Sequence, residues 1–331
     1  MRRLGEIALI SDYLAPLAAH PGALGLKDDA ALLTGLPAAG LVITADGLVA
    51  GVHFFEDDDP GDAAYKALAV NISDLAAKGA RPLAYTMTLA LSEAPTDDWA
   101  KRFTAGLARA QDKFGIALIG GDTVTARGAW WISITAFGEA NPRGFVPRGG
   151  AKAGDALYVS GTLGDAALGL KVRLNEAAFE PYLRPDQREF LRLRYLYPEP
   201  RLALAPALAS EASGAMDISD GLALDLSRMC QASGVSAEVW AEAIPLSEAA
   251  RAVVANDADA MKTILTGGDD YEILAAIPAE RTGAFEAASL AAGVPVARIG
   301  AVIAGAGAPA FKAADGSELD FPAQGFEHFK V

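Results

Sequence analysis

The sequence predicts a two-domain α/β fold in which sheets and helices form separate layers (α+β layering). The chain has 331 residues, which is enough for two buried cores. Strand-like and helix-like segments alternate along it. Residues 141–150 are rich in Pro and Gly, as is typical of a domain boundary. We therefore expect an N-terminal domain over residues 1–148 and a C-terminal α/β domain over residues 149–331.

The first domain is predicted to combine a sheet with three helices. Residues 5–19 are typical of an amphipathic helix rather than a signal peptide, because Glu6 and Asp12 interrupt the apolar stretch. Residues 83–91 alternate larger and smaller side chains with the period of a strand. Thr96 suits the N-cap of a helix over residues 97–114, which Gly115 is placed to end. The other predicted elements are strands over residues 41–44, 116–119 and 130–137 and a helix over residues 62–77.

The second domain is predicted to contain a second sheet. Helices are expected after the turn 161–164 and after Gly221, and Asp165 is typical of the first residue of a helix. The predicted strands cover residues 156–160, 215–218, 271–277 and 296–303.

Composition excludes several classes of protein. The formal net charge of −14 argues against nucleic acid as a partner. No apolar run approaches the roughly 18 residues of a membrane span, so we expect no membrane association. One cysteine, Cys230, excludes a disulfide framework inside the chain, and three histidines leave little room for a zinc site. These features favour a reducing compartment, the cytoplasm.

Aspartates recur where apolar segments are predicted to end. Asp46 is expected to close the strand that begins at residue 41, and Asp122 the strand that begins at residue 116. Oxygen ligands of this kind suit Mg²⁺, which keeps several waters and uses substrate phosphates as further ligands. Any one of these aspartates alone is more often a turn former or a helix cap. The acidic positions that together predict binding of several Mg²⁺ ions are Asp28, Asp29, Asp46, Asp74, Asp122, Asp217 and Asp220.

Asn71, Asp74 and Lys78 have the spacing of one helix face, which could bind a ligand or could be a solvated stripe. Other nucleotide-binding signatures are missing from the sequence. It contains no Gly-x-x-x-x-Gly-Lys-[Ser/Thr] loop, no Gly-x-Gly-x-x-Gly turn and no His-Arg-Asp catalytic loop. If the protein uses ATP, it lies outside the P-loop and protein-kinase classes.

The acidic motifs, taken in order, resemble one known family. Each motif alone is a weak signal, but the ordered set covers essentially the whole chain and looks like thiamine-monophosphate kinase. The segments that carry the resemblance are Asp28-Asp29-Ala-Ala, Thr44-Ala-Asp46, Gly51-Val-His53-Phe54, Asn71-Ile-Ser-Asp74, Gly120-Gly-Asp122-Thr123, Asp217-Ile-Ser-Asp220-Gly221, Gly267-Gly-Asp-Asp270-Tyr-Glu272 and Gly325-Phe-Glu-His-Phe329.

The resemblance implies the PurM-like fold, which is shared with aminoimidazole-ribonucleotide synthetase. It implies an N-terminal domain that dimerises through its sheet and a C-terminal α/β domain. It also implies direct, Mg²⁺-dependent transfer of the ATP γ-phosphoryl group to thiamine monophosphate, giving thiamine diphosphate and ADP. Thiamine monophosphate and ATP are then the small-molecule partners, and a homodimer is expected.

The resemblance also implies residue roles by position. The family's magnesium ligands match Asp29, Thr44, Ala45, Asp46, Asp74, Asp122, Asp217 and Asp220. Its ATP contacts match Gly121, Asp122, Arg148 and Ser219, and its acceptor contacts match His53, Asp269 and Phe326. We expect catalysis to depend most on the ions held by Asp46, Asp74, Asp122 and Asp217.

Four positions depart from the family's pattern. Lys27 stands where glycine is common, and Gly47 stands where a polar residue is common. Ala45 replaces a hydroxyl residue, so only its backbone carbonyl could bind a metal. Asp269 replaces a glutamate and is one methylene shorter. These departures bear on the number of metal ions and on the position of the acceptor.

Two other classes of function remain open from the residues. One is another ATP-dependent synthetase or ligase on the same scaffold. Selenophosphate synthesis calls for a reactive Cys or selenocysteine near the N-terminus, and the related hydrogenase-maturation protein carries a C-terminal Cys, whereas the only cysteine here is Cys230. The other class is a noncatalytic protein that binds metal or nucleotide without turnover.

Overall fold

The protein is described by a computed structural model that covers residues 3–27, 30–35, 37–257 and 259–319. Its internal contacts divide the chain into two compact units. The first unit comprises the residues up to Leu75 and Ala80–Pro142, and the second comprises Ala76–Gly79 and the residues from Arg143 onward. The change at Pro142 lies inside the stretch 141–150 that is rich in Pro and Gly. The predicted boundary after residue 148 stays a prediction.

The first unit is a four-stranded sheet with helices. The strand order is β1-β4-β2-β3, with β2 and β3 parallel and the other neighbours antiparallel. The elements are α1 (Glu6–Leu9), β1 (Leu41–Val49), α2 (Pro60–Ala77), β2 (Arg81–Leu91), α3 (Asp97–Phe114), β3 (Ala117–Thr125) and β4 (Trp131–Glu139).

The N-terminal helical segment is less regular than predicted. A single helix over residues 5–19 was expected, but α1 is followed by a π-helical turn (Ile10–Leu14) and a 3₁₀ turn (Ala15–Leu17). Pro16 explains why no regular helix continues, since it lacks the backbone N–H that an α-helix requires in its interior.

Two strands run past the aspartates that were predicted to end them. β1 continues three residues beyond Asp46 to Val49, and β3 continues three residues beyond Asp122 to Thr125. The prediction that these aspartates close their strands was therefore wrong. Gly47 is paired with Ser133 of β4, and Asp122 with Thr88 of β2, so both strands stay in register where a break was expected.

The predicted bounds and caps of α3 are confirmed. Thr96 Oγ1 accepts the backbone N–H of Trp99 at 3.1 Å, and Gly115 ends the helix in the left-handed region at φ 65°. Gly106 lies on the buried side of this helix. A Cβ atom built on it would lie 2.0 Å from the carbonyl oxygen of Gly61, at the start of α2. Only glycine allows the two backbones to approach so closely.

Gly106→Ala is therefore expected to lower the free energy of unfolding by about 1–3 kcal/mol, the usual cost of overpacking a tight contact. Thermal unfolding followed by tryptophan fluorescence measures the effect, since Trp99, Trp130 and Trp131 all lie in the first unit. Gly283→Ala in a helix of the second unit is the matched control, because no atom lies within 4 Å of the added Cβ. Equal midpoints for the two variants would contradict the steric argument.

The second unit is built on a six-stranded sheet of order β10-β7-β9-β5-β8-β6, in which only the β10–β7 pair is parallel among the paired strands described. Its strands are β5 (Ala156–Ser160), β6 (Gly214–Asp217), β7 (Ser236–Trp240), β8 (Ile273–Ile277), β9 (Val296–Ile303) and β10 (Ala310–Lys312). Its helices are α4 (Asp165–Leu174), α5 (Pro185–Leu196), α6 (Ala205–Glu211), α7 (Leu222–Ser233), α8 (Glu248–Val254), α9 (Ala260–Thr266) and α10 (Thr282–Ala291).

The predicted strands β5 and β9 are confirmed with their bounds, and β6 and β8 within two residues. Every residue of β5, β6 and β8 is buried, because helices cover both faces of the sheet there. Throughout the described segments, the helices are too short or too polar to cross a membrane.

Candidate active site

In the first unit, three predicted metal ligands lie together where β1 meets α2. Thr44 and Asp46 alternate with Ala45 along β1, so their side chains share one face of the sheet. Thr44 Oγ1 donates a hydrogen bond to Asp74 Oδ2 on α2. The Thr44 and Asp74 oxygens are thus in contact, and the side chain of Asp46 lies on the same face of β1, two residues from Thr44.

Asn71 fixes this contact between β1 and α2. It is fully buried, and its Oδ1 accepts the backbone N–H of Asp46 at 3.1 Å. Its Nδ2 donates to the carbonyl oxygen of Ala67 at 3.0 Å, so both ends of the amide are satisfied. Asn71 therefore holds the backbone of Asp46 against α2, and the alternative of a solvated stripe does not apply to it. Lys78 follows the end of α2 and donates to the carbonyl of Ala215 at 2.8 Å.

Ala45 is exposed on the opposite face of β1. It has no side-chain ligand to offer, so a role in metal binding is limited to its carbonyl oxygen.

Asp122 lies far from this cluster, near the other edge of the same sheet. Through the strand register, Asp122 pairs with Thr88, Thr88 with Ser133, and Ser133 with Gly47. Three strand spacings separate Asp122 from Gly47, which is about 14 Å. A single Mg²⁺ ion with ligands at about 2 Å cannot bind both Asp46 and Asp122 directly.

Gly121, next to Asp122, has a backbone that excludes any side chain. Its φ is 154°, and a Cβ built on it would lie 1.9 Å from the carbonyl oxygen of Met87. Asp122 is exposed and its Oδ1 accepts the backbone N–H of Thr123 at 2.8 Å. A cavity of about 430 Å³ lies beside these residues, with Glu6 and Ile10 of the N-terminal segment also in its lining.

In the second unit, two acidic loops are joined by backbone hydrogen bonds. The N–H of Tyr271 donates to the carbonyl of Ile218 at 2.8 Å, and the N–H of Asp269 donates to that of Ser219 at 2.9 Å. The structure thus brings together four residues predicted for metal, ATP or acceptor binding: Asp217, Ser219, Asp220 and Asp269.

The loop that carries Asp269 has an unusual backbone. Asp269 and Tyr271 adopt positive φ angles of 70° and 50°, which are rare for residues other than glycine. Asp270 between them is buried, and its carboxylate accepts the backbone N–H of Gly164 at 2.8 and 3.0 Å. Burial raises the pKa of Asp270 well above its usual value. Asp270 therefore anchors the loop, and Asp269 is held in a conformation that its own sequence does not favour.

Glu272 anchors the same loop through a buried ionic network. Its carboxylate accepts from Arg194 Nη2 at 2.9 Å, from Arg201 Nε at 2.7 Å and from Ser160 Oγ at 2.6 Å. Glu272 is fully buried, and the side chains of Arg194 and Arg201 are 11% and 19% exposed. A Cβ on Gly161 would lie 2.2 Å from Glu272 Oε1, so this position also requires glycine.

Asp225 fixes the backbone of the Asp217–Gly221 loop through two hydrogen bonds. Its Oδ2 accepts the backbone N–H groups of Ser219 at 3.0 Å and of Asp220 at 2.9 Å. Burial raises the pKa of Asp225 to about 6, against the hydrogen bond from Asp220 that lowers it. Sequence reasoning missed Asp225, although an acidic residue in the first turn of a helix that follows a motif loop could have suggested it.

The remaining predicted residues have different surroundings. His53 Nδ1 accepts the backbone N–H of Val49 at 2.9 Å, which leaves Nε2 as the protonated nitrogen of the neutral ring. The Nζ of buried Lys66 donates to the carbonyl of His53 at 3.0 Å and so fixes this turn. Arg148 is exposed, and its backbone lies beside the start of β6, the opposite end of that strand from Asp217.

Asp29 and Phe326, also predicted as site residues, lie outside the described residues. Asp165 is buried at the start of α4, where Thr162 and Ser247 each donate to its carboxylate at 2.5 Å. Its predicted role as a helix-start residue is confirmed. Among the residues that the structure describes, no group of three or more His, Cys, Asp or Glu side chains is arranged to hold a metal by itself.

Comparison with known proteins assigns the family. The profile of the AIR synthase related protein N-terminal domain matches residues 27–140, and that of the C-terminal domain matches residues 152–310. A thiamine-monophosphate kinase from Caulobacter vibrioides is 40% identical over an alignment of 310 residues that covers 92% of this chain and 86% of that protein. The chain belongs to the thiamine-monophosphate kinase family.

Solved structures of the family agree with the fold. The crystal structure of thiamine-monophosphate kinase from Stenotrophomonas maltophilia K279a matches with a TM-score of 0.82 at 39% identity, covering 96% of this chain and 99% of that one. AaThiL complexed with AMPPCP and TMP matches with a TM-score of 0.75 at 32% identity, covering 87% of each chain. The predicted two-domain PurM-like α/β fold is confirmed.

Proposed function

We propose that this chain transfers the γ-phosphoryl group of ATP to thiamine monophosphate in a magnesium-dependent reaction. The observation that carries the proposal is the cluster of Thr44, Asp46 and Asp74 oxygens in a chain of this family. A solved relative complexed with AMPPCP and TMP supports the choice of nucleotide and acceptor.

The donor set fits magnesium. Side-chain oxygens of Thr44, Asp46 and Asp74 are hard ligands, and neither His nor Cys is part of the cluster. Mg²⁺ usually takes only one or two carboxylates and completes its shell with water and phosphate oxygens. The lack of a three-carboxylate group in the described residues is therefore compatible with it.

The separation of about 14 Å across the sheet implies more than one ion. We assign one ion or group of ions to Thr44, Asp46, Asp74 and the carbonyl of Ala45, and another to Asp122, with Asp29 as a further ligand proposed from the family resemblance. In the second unit, Asp217 and Asp220 are the proposed ligands. When bound, magnesium would offset the negative charge of the phosphate oxygens and so lower the electrostatic barrier between the acceptor phosphate and the γ-phosphate of ATP.

The protein's own residues position the substrates. We infer that Gly121 and Asp122 contact ATP, with the adjoining cavity of about 430 Å³ receiving part of the nucleotide. Ser219 and Arg148 are the proposed ATP contacts of the second unit, where the Arg148 guanidinium offsets phosphate charge.

His53 and Asp269 are the proposed acceptor contacts in the described residues, with Phe326 outside them. His53 Nε2–H is oriented as a donor by the hydrogen bond at Nδ1. An oxygen of the acceptor phosphate attacks the γ-phosphorus, the bond to the β–γ bridging oxygen breaks, and ADP leaves. The acceptor is ionised near neutral pH, so the residues need only position it and stabilise charge.

We also propose that the protein acts as a homodimer in the cytoplasm. The first unit exposes Ile43, Ala45 and Gly47 along one face of β1, and Ile43 is 60% exposed. An exposed apolar residue on a sheet face is compatible with the sheet-mediated dimer of the family. A single buried cysteine and the use of ATP favour the cytoplasm.

Steady-state release of ADP tests the proposal. ADP formation in the presence of Mg²⁺ should depend on added thiamine monophosphate and should saturate with it. An ADP signal that is unchanged without the acceptor would indicate an ATPase, and none under any condition would indicate a protein that binds without turnover.

Removing divalent cations is expected to stop nucleotide binding as well as turnover. With excess EDTA, the Kd for AMPPCP measured by calorimetry should rise at least about tenfold, because the bridging ions that offset carboxylate and phosphate charges are gone. A titration at matched ionic strength without chelator is the control. Tight AMPPCP binding in excess EDTA would contradict the bridging-metal proposal.

A further inference from the structure

Arg228 of α7 forms ion pairs with two carboxylates, and the proposed mechanism gives Arg228 no role. Arg228 Nη1 donates to Asp225 Oδ1 at 3.0 Å and also to Asp220 Oδ2. Asp225 is fully buried, whereas the side chains of Asp220 and Arg228 are 26% and 37% exposed. One guanidinium nitrogen therefore joins a buried carboxylate to a partly exposed carboxylate.

The two carboxylates are held differently. Asp225 Oδ2 is fixed by two backbone N–H groups, those of Ser219 and Asp220. Asp225 therefore belongs to the loop scaffold and keeps its place whatever the loop binds. The Asp220 carboxylate points instead to the Arg228 guanidinium, which is accessible enough to change rotamer.

We propose that Arg228 is the built-in counter-ion of Asp220, and that a divalent cation must draw Asp220 away from it in order to bind. The proposal rests on the assignment of Asp220 as a metal ligand made under the proposed function. In the metal-free protein, the single positive charge of Arg228 offsets part of the negative charge of Asp220 and Asp225. In the metal-bound protein, it stays on Asp225 and leaves Asp220 Oδ2.

Charge and geometry both indicate that Arg228 and a metal ion compete for the Asp220 carboxylate. A Mg²⁺ ion binds carboxylate oxygens at about 2.0–2.1 Å in a near-octahedral shell and leaves no room for a guanidinium on the same lone pair. An ion on the second oxygen of Asp220 would still lie within a few ångströms of the Arg228 charge, where like charges repel. Arg228 therefore raises the metal concentration that is needed for a divalent cation to bind Asp220.

Metal affinity measured without turnover tests the proposal. The Kd for Mn²⁺ is determined from the electron paramagnetic resonance signal of the free ion, with and without saturating AMPPCP. In Arg228→Gln, Mn²⁺ is expected to bind about 3- to 5-fold more tightly than in the wild type, in line with the strength of a partly exposed ion pair. Arg228→Lys keeps the charge and should stay within about twofold of the wild type.

Arg192→Gln is the matched control. It removes the same charge from an exposed pair with Glu189 on α5, a different element from α7 and the Asp217–Gly221 loop. Its Mn²⁺ affinity should equal that of the wild type. A tightening as large as that of Arg228→Gln would show that net charge alone explains the effect, and would overturn the proposal.

A merely structural role of Arg228 gives a different pattern. In that case Arg228→Gln would lower the thermal midpoint equally with and without Mg²⁺, and the Mn²⁺ affinity would fall or stay unchanged, which overturns the proposal. On our proposal, Mg²⁺ should raise the midpoint of the variant by more than it raises that of the wild type. Asp220→Asn tests the assignment of Asp220 separately from the role of Arg228. If it leaves the Mn²⁺ affinity unchanged, the assignment of Asp220 as a metal ligand fails.

A crystal structure of the wild-type protein with Mg²⁺ and AMPPCP tests the same point without any variant. We expect an ion on Asp220 and Arg228 Nη1 more than 3.5 Å from Asp220 Oδ2, beyond hydrogen-bond distance. An ion on Asp220 with the Arg228 hydrogen bond intact would overturn the proposal.

Discussion

Asp46→Asn is expected to lower kcat/KM by at least about 100-fold while the thermal midpoint stays within a few degrees of the wild type. The amide keeps the shape of the side chain and leaves the backbone hydrogen bond from Asp46 to Asn71 intact, so β1 should stay docked on α2. What it removes is the negative charge that binds the proposed magnesium. The loss should appear in kcat and in the Mg²⁺ concentration needed for half-maximal rate.

Asp98→Asn provides the matched control for this variant. Asp98 is an exposed carboxylate of the same unit that forms an ion pair with Arg102 along α3. Its replacement should leave kcat/KM unchanged, because an exposed helical ion pair contributes only a few tenths of a kcal/mol to stability and lies on α3 rather than β1 or α2. Near-normal activity of Asp46→Asn would remove Asp46 from the metal site.

Glu272→Gln is expected to lower the free energy of unfolding of the second unit by about 3 kcal/mol. The change leaves the guanidinium groups of Arg194 and Arg201 without their buried anionic partner, and only the half-exposed carboxylate of Glu199 still pairs with them. Because Glu272 directly follows the loop that contains Asp269 and Tyr271, the positive φ angles of these two residues should relax and the KM for the acceptor should rise. Chemical unfolding and steady-state kinetics measure the two effects separately.

The matched control is Glu176→Gln. Glu176 is 61% exposed and forms an ion pair with Arg188 at 2.9 Å. An Arg–Glu pair of this exposure should contribute no more than about 1 kcal/mol. The double variant Glu272→Gln/Arg201→Gln should recover part of the loss, since it also removes one of the two cations that lost their buried partner. Equal destabilisation by Glu272→Gln and Glu176→Gln would show that burial does not decide the cost.

The sequence predicted the ends of an element most accurately where the residues that set them are neighbours in the chain. Thr96 and Gly115 cap α3 as predicted, because N-cap and C′ preferences depend on a few neighbouring residues. The same local reasoning failed at Asp46 and Asp122, where pairing with β4 and β2 carries the strands past a residue that often ends one. Strand pairing is nonlocal, so tertiary structure overrode the propensity of the single residue.

The site could be predicted only in part for the same reason. The motifs indicated Thr44, Asp46 and Asp74, and the structure brings them together at β1 and α2. The separation of Asp122 from that cluster depends on strand order, which no motif contains. The positioning roles of Asp225 and Glu272 depend on complete burial and on partners distant in sequence, such as Arg194.

Direct observation of the product is the measurement closest to the central claim. The protein is incubated with Mg²⁺, thiamine monophosphate and ATP labelled in its γ-phosphate, and the products are separated by chromatography. We predict that the label moves into thiamine diphosphate in a ratio of one to one with ADP. Label released only as inorganic phosphate, or AMP formed in place of ADP, would contradict the assignment of this chain as a kinase.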